Sequence, residues 1–236
     1  LLAQTPPSGF SSVVVSSQWN EAVGVAFNSS GTQMFVWERG GRVWVVENSQ
    51  KQLFLDISEE VGGWRDFGLL GFALHPQFDT NGYFYLLYTV DRHHLMRHGT
   101  SGYSSTTNEY FNATIGRVTR YTATKTTSGY SINPSSRKIL LGATRSTGIP
   151  SLHESHGVGS LVFGTDGTLL ISAGDGASYN GHDGGSASDT YYAQALTDGI
   201  ITSQENVGAF RSQLLESYNG KILRIDPETG NGVPSN

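Results

Sequence analysis

Three short apolar runs are each followed by a turn and a second apolar run, which is the pattern of a tight antiparallel β-hairpin. The clearest copy joins Leu161-Val162-Phe163 to Leu169-Leu170-Ile171 through the turn Gly164-Thr165-Asp166-Gly167. Two earlier copies turn at residues 28–31 and 75–82. A repeated hairpin of this kind predicts an all-β chain built from successive small sheets.

The spacing of the repeats predicts the architecture. Phe27, Leu74 and Phe163 hold the same position in the three copies, and the first two are 47 residues apart. A repeat of roughly 40 to 50 residues is typical of one β-propeller blade. The second interval, of 89 residues, is explained by a long loop at 91–113, and another long loop covers 177–219. We therefore expect three four-stranded antiparallel blades whose first strands lie near residues 22–28, 69–75 and 158–164.

Three blades make only half of a ring. A propeller hides its sheet edges by closing, and about four blades is the smallest number that closes. We expect residues 18–236 to be the N-terminal half of a single propeller domain, with the remaining blades as partners in a longer chain. Residues 1–17 form an N-terminal segment, in which Leu1-Leu2-Ala3 is interpreted as the remnant of an export signal.

Composition limits the partners and the compartment. The chain of 236 residues has no cysteine, 15% charged residues and a formal net charge of −5, so disulfides, thiolate metal sites and a basic face for nucleic acid are all excluded. No apolar run approaches the roughly 20 residues of a membrane span. The Ser, Thr, Gly and Asn content is typical of secreted β proteins. Sequons at Asn28 and Asn112 are glycan sites in a eukaryotic secretory pathway and chance matches otherwise.

Four motifs occur in order along the chain: GLLGFALHPQF at 68–78, SHGVGSLVFG at 155–164, GDG at 174–176 and GKILRIDP at 220–227. In this order they resemble the soluble quinoprotein sugar dehydrogenases, which include glucose and aldose dehydrogenases that use pyrroloquinoline quinone (PQQ). The propeller of that family is shared with the Hedgehog-interacting protein. The resemblance covers about residues 18–236 and implies a six-bladed propeller, of which this chain is the N-terminal half.

The same resemblance implies roles for individual residues. His156 takes the place of the general base, which accepts the proton of a sugar's anomeric hydroxyl while hydride passes to PQQ. A calcium ion polarises the quinone carbonyl in those enzymes. Arg65, Asp66 and Asp175 are expected around the cofactor. An imidazole suits the base because it titrates near neutral pH.

Three positions depart from the family pattern. Asp66 stands where the glucose enzymes have a glutamine, Ser155 where an acidic residue precedes the base, and Gly176 where a second glutamine follows the Gly-Asp pair. Because PQQ carries three carboxylates, Asp66 adds repulsion unless Arg65 offsets it. The family's other cofactor contacts, an Arg-Asn pair and the carbonyls that hold calcium, are expected beyond Asn236.

The sequence therefore favours an exported PQQ-dependent sugar dehydrogenase, secreted or periplasmic, with calcium as a second cofactor. The alternative is a non-enzymatic extracellular propeller that binds a glycan or a protein through its loops, because a fold does not fix a function. The altered cofactor positions favour this alternative more than a typical family member would. The remaining half of the ring would distinguish the two.

Two further groups carry side chains that ligate metals: His93, His94 and His98 beside Asp91, and Asp183, Asp189 and Asp198 in the second long loop. The histidines have a spacing that suits zinc or copper, but solvated side chains in a flexible loop are the simpler interpretation. The aspartates could supply oxygen ligands to calcium, but their spacing matches no EF-hand.

The tryptophans, Asp175 and one segment with helical spacing also give predictions. Trp37 and Trp44 suit the cores of blades, whereas Trp64, in a Gly-Gly-Trp-Arg loop, is a candidate platform for stacking a sugar. Asp175 has two interpretations, a ligand contact or a cap on a tight turn. Val207, Phe210 and Leu214 fall at helical spacing, which predicts either a short helix near residues 206–216 or a loop pinned to the sheet.

Overall fold

The first repeat folds into a four-stranded antiparallel sheet in the computed structural model, which describes residues 5–234. Its strands follow one another as hairpins in the order β1-β2-β3-β4, so each strand pairs with its neighbour in the chain. Their bounds are Ala22–Phe27, Gln33–Glu38, Arg42–Glu47 and Gln50–Asp56.

The second repeat begins with β5 (Leu69–Leu74), a one-turn helix α1 (Phe78–Asn81) and β6 (Tyr83–Thr89). Helix α2 (Arg92–Arg97) precedes the 13-residue strand β7 (Thr114–Thr126). Short strands then share the outer edge of β7: β8 (Gly129–Ile132), β9 (Lys138–Leu141) and β10 (Ile149–Ser151). The fourth position of this sheet is thus divided among short segments that pair with different parts of one long strand.

The third repeat has three described strands, whereas four were expected. They are β11 (Val158–Phe163), β12 (Leu169–Ala173) and β13 (Lys221–Ile225). After β13 the Asp226 side chain accepts hydrogen bonds from the backbone of Glu228 and Thr229 and turns the chain back. A single antiparallel bridge then joins Ile225 to Gly232, near the end of the described residues, so a fourth strand is no more than begun.

The structural equivalence of the three hairpins is confirmed residue by residue. The three residues aligned from the sequence each pair across the first hairpin of their sheet: Phe27 with Met34, Leu74 with Phe84, and Phe163 with Leu169. Each first strand also has a register shift a few residues earlier, between Ala22 and Gly24, Leu69 and Gly71, and Val158 and Leu161. The expected positions of the first strands are therefore correct.

The central strand β6 explains how the sheets pack. Side chains alternate across a strand, and in β6 both faces are apolar and buried. Phe84, Leu86 and Tyr88 face a core shared with the first sheet, whereas Tyr85 and Leu87 face a core shared with the third. The second sheet is therefore covered on both sides, and the three sheets stack in chain order as blades do.

The two long insertions contain helices and contact each other, so they are more regular than expected. Asp91 caps α2 by accepting a hydrogen bond from the backbone of His93. The second insertion contains α3 (Tyr192–Asp198) and, as predicted near residues 206–216, a short 3-10 helix at Gly208–Gln213. Arg92 joins the insertions through an ion pair of 2.6 Å with Asp198. None of the helices within residues 5–234 has the length and apolar character to cross a membrane.

A buried charge cluster lies beside the second sheet. The carboxylate of Glu60 accepts hydrogen bonds from Arg117, Arg137 and the Tyr88 hydroxyl, and His94 Nε2 lies 4.0 Å from its second oxygen. Burial raises the pKa of Glu60, but the charges of Arg137 and Arg117 outweigh burial and leave the pKa below its usual value. The carboxylate is therefore ionised inside the protein and is stabilised by its two arginines.

Candidate active site

The loops that precede β5 and β11 meet at one end of the inner strands. β5 lies between β1 and β11, and the Leu69 N–H donates a hydrogen bond to the Arg39 carbonyl of the first sheet. On the other side, a Cβ placed on Gly71 would lie 3.1 Å from the Leu161 backbone nitrogen. This close packing brings the residues at the starts of neighbouring blades into one group.

His156 and Asp175 form a hydrogen-bonded pair in this group. His156 Nδ1 lies 2.9 Å from Asp175 Oδ1, and an ionised carboxylate can only accept, so Nδ1 carries the proton. The Ala177 N–H donates to the same oxygen. Asp175 therefore both accepts a hydrogen bond from the imidazole and caps its own turn. The backbone N–H of Gly176 donates to the His156 carbonyl, which also ties the two segments together.

The backbone of His156 presents its ring to solvent. Its φ is 57°, a left-handed conformation that is uncommon outside glycine, asparagine, aspartate and histidine. The side chain is 42% exposed. Nε2 makes no hydrogen bond to any residue that the structure describes. The pair therefore leaves a free nitrogen lone pair facing the solvent.

Arg65 and Asp66 contact the two residues that precede His156. Arg65 Nε lies 3.0 Å from Glu154 Oε2, and Ser155 donates a hydrogen bond to Asp66. Arg65 therefore forms its ion pair with Glu154, and Asp66 has no ion-pair partner among residues 5–234. The Tyr179 hydroxyl also donates to Glu154, and this hydrogen bond, followed by Arg65, lowers the pKa of that carboxyl.

Trp64 is not available to stack on a ligand, which corrects its interpretation as a sugar platform. It is 5% exposed, and its ring lies 4.9 Å from Phe67 and 4.7 Å from Phe111. Tyr191 of the second insertion is a further neighbour at 6.4 Å. Trp64 therefore anchors the loop that carries Arg65. An exposed aromatic ring near His156 is instead that of Tyr179, whose centroid is 6.4 Å from that of the imidazole.

The two groups of metal-ligand side chains have structural partners. His93 and His94 are buried, which corrects their assignment to a solvated loop. Their Nδ1 atoms contact Glu109 and the Tyr103 hydroxyl. The three aspartates of the second insertion are engaged separately: Asp198 with Arg92, Asp183 with the Ser178 and Gly185 backbone, and Asp189 with the Ser178 hydroxyl. Within residues 5–234, no group of three His, Asp or Glu side chains could hold a metal.

The two sequons lie in ordered parts of the chain. Asn28 is buried, and its amide contacts Asp79 and Gln33. Asn112 is half-buried. Its side-chain oxygen accepts a hydrogen bond from Gln194 Nε2, and its Nδ2 donates to the Tyr110 carbonyl. Glycosylation at either position stays a prediction.

Two buried side chains that the sequence does not indicate lie behind the Asp175 turn. Arg211 donates from Nε to the Asp175 carbonyl, and Asn219 donates from Nδ2 to the Gly174 carbonyl, each at 3.0 Å. The only signal for Asn219 is its place just before the GKILRIDP motif. Arg211 belongs to the 3-10 helix and carries no local signal.

A family model described as Glucose / Sorbosone dehydrogenase matches residues 19–236. The HIPL2 protein of Arabidopsis thaliana is 26% identical over 227 residues, which cover 86% of this chain and 28% of that protein. The Hedgehog-interacting protein of Homo sapiens is 28% identical over 170 residues, covering 69% of this chain and 22% of that protein. The chain thus spans about a quarter of the length of these relatives.

Solved structures show the same fold. The PQQ-bound aldose sugar dehydrogenase of Streptomyces coelicolor superposes with a TM-score of 0.60 at 21% identity, covering 94% of this chain and 49% of that one. The soluble aldose sugar dehydrogenase of Escherichia coli, in its apo-form, superposes with a TM-score of 0.50 at 17% identity. The match covers 92% of this chain and 47% of that one. Three blades thus match about half of each propeller, as expected for three of six. With the family model matched from residue 19 to residue 236, the chain belongs to the glucose/sorbosone dehydrogenase family and has its β-propeller fold.

Proposed function

We propose that this chain carries the general base of an exported, PQQ-dependent sugar dehydrogenase, in which His156 removes the proton of a sugar's anomeric hydroxyl. The observation that supports it is the His156–Asp175 pair, with Nδ1 held at 2.9 Å and Nε2 left free. The family match and the propeller fold support the reaction class. Export rests on the composition and on the first three residues, which lie outside the described part of the chain.

The pair has the features that proton abstraction requires. Asp175 fixes the tautomer in which Nδ1 carries a proton and Nε2 has a lone pair, as in other His-carboxylate pairs. When Nε2 accepts the hydroxyl proton, the new imidazolium charge lies beside the carboxylate and is stabilised by it. The exposure of the ring lets a sugar approach Nε2 directly.

Residues around the pair suit a sugar. Tyr179 is exposed and offers an aromatic face on which the apolar side of a pyranose can stack. Because Ser155 donates its hydroxyl proton to Asp66, the Asp66 carboxylate and the Ser155 hydroxyl oxygen both offer acceptors for the hydroxyl groups of a sugar. A neutral sugar is favoured over an anionic one, because the carboxylates of Asp66, Glu154 and Asp175 lie near His156, whereas Arg65 is already paired with Glu154.

The described residues suit proton abstraction by His156 better than they suit the binding of an acidic cofactor. PQQ, when bound, supplies the two-electron acceptor for hydride. Arg65 is the side chain that would pair with one of the PQQ carboxylates, but Arg65 is already paired with Glu154. The charge of Asp66 would repel the PQQ carboxylates. Calcium belongs to this proposal by family resemblance alone.

A second candidate is a non-enzymatic extracellular propeller that binds a glycan or a protein through its loops. The charge of Asp66, which has no ion-pair partner among residues 5–234, favours it, since that charge opposes an anionic cofactor at this position. Two of the relatives are Hedgehog-interacting proteins, whose name describes binding to another protein.

The test uses the full-length protein supplied with calcium and PQQ. We expect dye-linked oxidation of aldoses, and we expect His156→Gln to lower it by about 100-fold or more, the usual effect of losing a general base. His182→Gln, which changes an exposed histidine of the second insertion, is the matched control and retains activity. Activity unaffected by His156→Gln would remove His156 from the mechanism. No binding of PQQ in a fluorescence titration would favour the second candidate.

A further inference from the structure

Arg211 is a buried cation, and a contribution to the stability of the fold does not explain why it is there. It is 2% exposed, and no carboxylate lies within ion-pair distance of it among residues 5–234. Burial lowers the pKa of its guanidinium and outweighs the opposing charges of Asp183, Asp175 and Glu205, so the charge of Arg211 is held there at a cost to folding. Nη2 has no hydrogen-bond partner in the described part of the chain, which adds to that cost.

What Arg211 does contact is the turn that carries Asp175. Its Nε donates to the Asp175 carbonyl at 3.0 Å, and its Nη1 points to the Glu205 carbonyl at 3.4 Å. Asn219, with no exposed surface, donates to the preceding carbonyl, that of Gly174. Two consecutive carbonyls of the turn are thus held from behind by side chains of the second insertion.

The same turn is closely confined on its inner side. Gly176 has a φ of +64°, and a Cβ there would lie 3.0 Å from both Asn219 Nδ2 and the Pro150 carbonyl oxygen. Its N–H donates to the His156 carbonyl at 2.9 Å. A shift of the turn would therefore move the Asp175 carboxylate relative to the imidazole that it holds.

We propose that Arg211 is a positioning residue: it holds the Asp175 turn so that the carboxylate keeps the proton of His156 on Nδ1. Arg211 acts through Asp175 and does not reach the exposed side of the imidazole. The proposal rests on the proposed function, since the tautomer matters only if Nε2 is the base. It differs from a structural role in what it predicts: loss of Arg211 changes the tautomer while the fold is retained.

The experiment uses the full-length protein labelled with ¹⁵N in its histidine rings, with the His156 signals identified by their absence in His156→Gln. In the wild type we expect the Nδ1–H tautomer to predominate. In Arg211→Met we expect a mixture of both tautomers and an unchanged or higher melting temperature, because an apolar isostere often replaces a buried charge without loss. Aldose oxidation should show kcat reduced by about 10- to 100-fold, as for a small misplacement of a catalytic group, and KM within about twofold.

Control variants distinguish a positioning role of Arg211 from a structural one. Arg224→Met, which changes an arginine that contacts Asp166 at the opposite end of the third sheet, should keep the wild-type tautomer. Arg211→Gln is a second variant, too short to reach the Asp175 carbonyl, and should give the same mixture as Arg211→Met. A folded Arg211 variant with the wild-type tautomer would overturn the proposal. So would failure of both variants to fold, because Arg211 would then be structural. A wild type without the Nδ1–H tautomer would instead contradict the proposed base.

Discussion

Arg65 lies 3.0 Å from Glu154 and joins the loop before β5 to the loop before β11. The next residue, Asp66, accepts a hydrogen bond from Ser155, the residue that follows Glu154. Two consecutive residues of one blade thus contact two consecutive residues of the next, immediately before His156. Arg65 is paired with Glu154, so the partner of the Asp66 carboxylate within residues 5–234 is the Ser155 hydroxyl group.

Neutralising Asp66 should therefore strengthen the binding of PQQ. We expect Asp66→Asn to lower the Kd for PQQ by about tenfold, because it removes one repulsive charge from an exposed site where such interactions are worth about 1 kcal/mol or more. A fluorescence titration of the full-length protein with calcium measures this. Asp166→Asn, in the turn between β11 and β12, is the matched control and should have no effect. Unchanged or weaker binding by Asp66→Asn would contradict the electrostatic argument.

The buried cluster around Glu60 makes a prediction about stability. Glu60→Gln leaves the charges of Arg117 and Arg137 without their carboxylate, and removing one partner of a buried ion pair typically costs about 3 to 5 kcal/mol. Urea unfolding should show this loss. Glu228→Gln, which breaks a pair between Arg120 and an exposed carboxylate, should cost less than about 1 kcal/mol. A similar small loss for both variants would show that the buried cluster is not important for folding.

His94 should make the protein sensitive to acid. Burial lowers its pKa to about 4, with His98 and Arg117 adding to the effect and Glu60 opposing it. Because the folded state binds this proton less readily than the unfolded chain, whose histidine has a pKa of about 6.5, stability is full above pH 6.5 and falls as the pH is lowered towards 4.

We expect this loss to be on the order of 3 kcal/mol. His94→Gln, which cannot be protonated, should flatten the curve of unfolding free energy between pH 6.5 and 4. His182→Gln, at an exposed position, should leave the curve as it is in the wild type. The same slope in His94→Gln and in the wild type would assign the acid sensitivity to other groups.

The strands could be predicted from sequence because their signals are local. Leu161-Val162-Phe163, the Asp-Gly turn and Leu169-Leu170-Ile171 lie within eleven residues, and the structure pairs them as expected. The burial of Trp64 could not be predicted, because its neighbours Phe111 and Tyr191 come from two insertions far along the chain. The burial of His93 and His94 was not predicted either, because their partners Glu109 and Tyr103 belong to the irregular part of the insertion after α2.

The candidate site was predictable only in part. Family motifs identify His156 and Asp175, and the structure brings them into contact. The partner of Arg65 was not predictable, because Asp66 and Glu154 are both acidic and the choice depends on how two loops meet. Arg211 gives no signal, since it reaches Asp175 through a long side chain from 36 residues away. Contacts of this kind join residues far apart in the sequence and depend on the tertiary fold.

The outward faces of the first and third sheets expose apolar side chains, and this predicts how residues 1–236 behave when expressed alone. Phe27 is 56% exposed on β1, on the same face as Val25, and in the third sheet Ile222 of β13 is 72% exposed and Val162 of β11 is 56% exposed. Contiguous apolar surface next to unpaired strand edges favours association. We expect sedimentation velocity to show dimers or larger species whose fraction rises with concentration. Ile222→Lys should lower that fraction, whereas Leu215→Lys, on the second insertion, should not. A monodisperse monomer with a cooperative melt would show that three blades are stable in water without a partner.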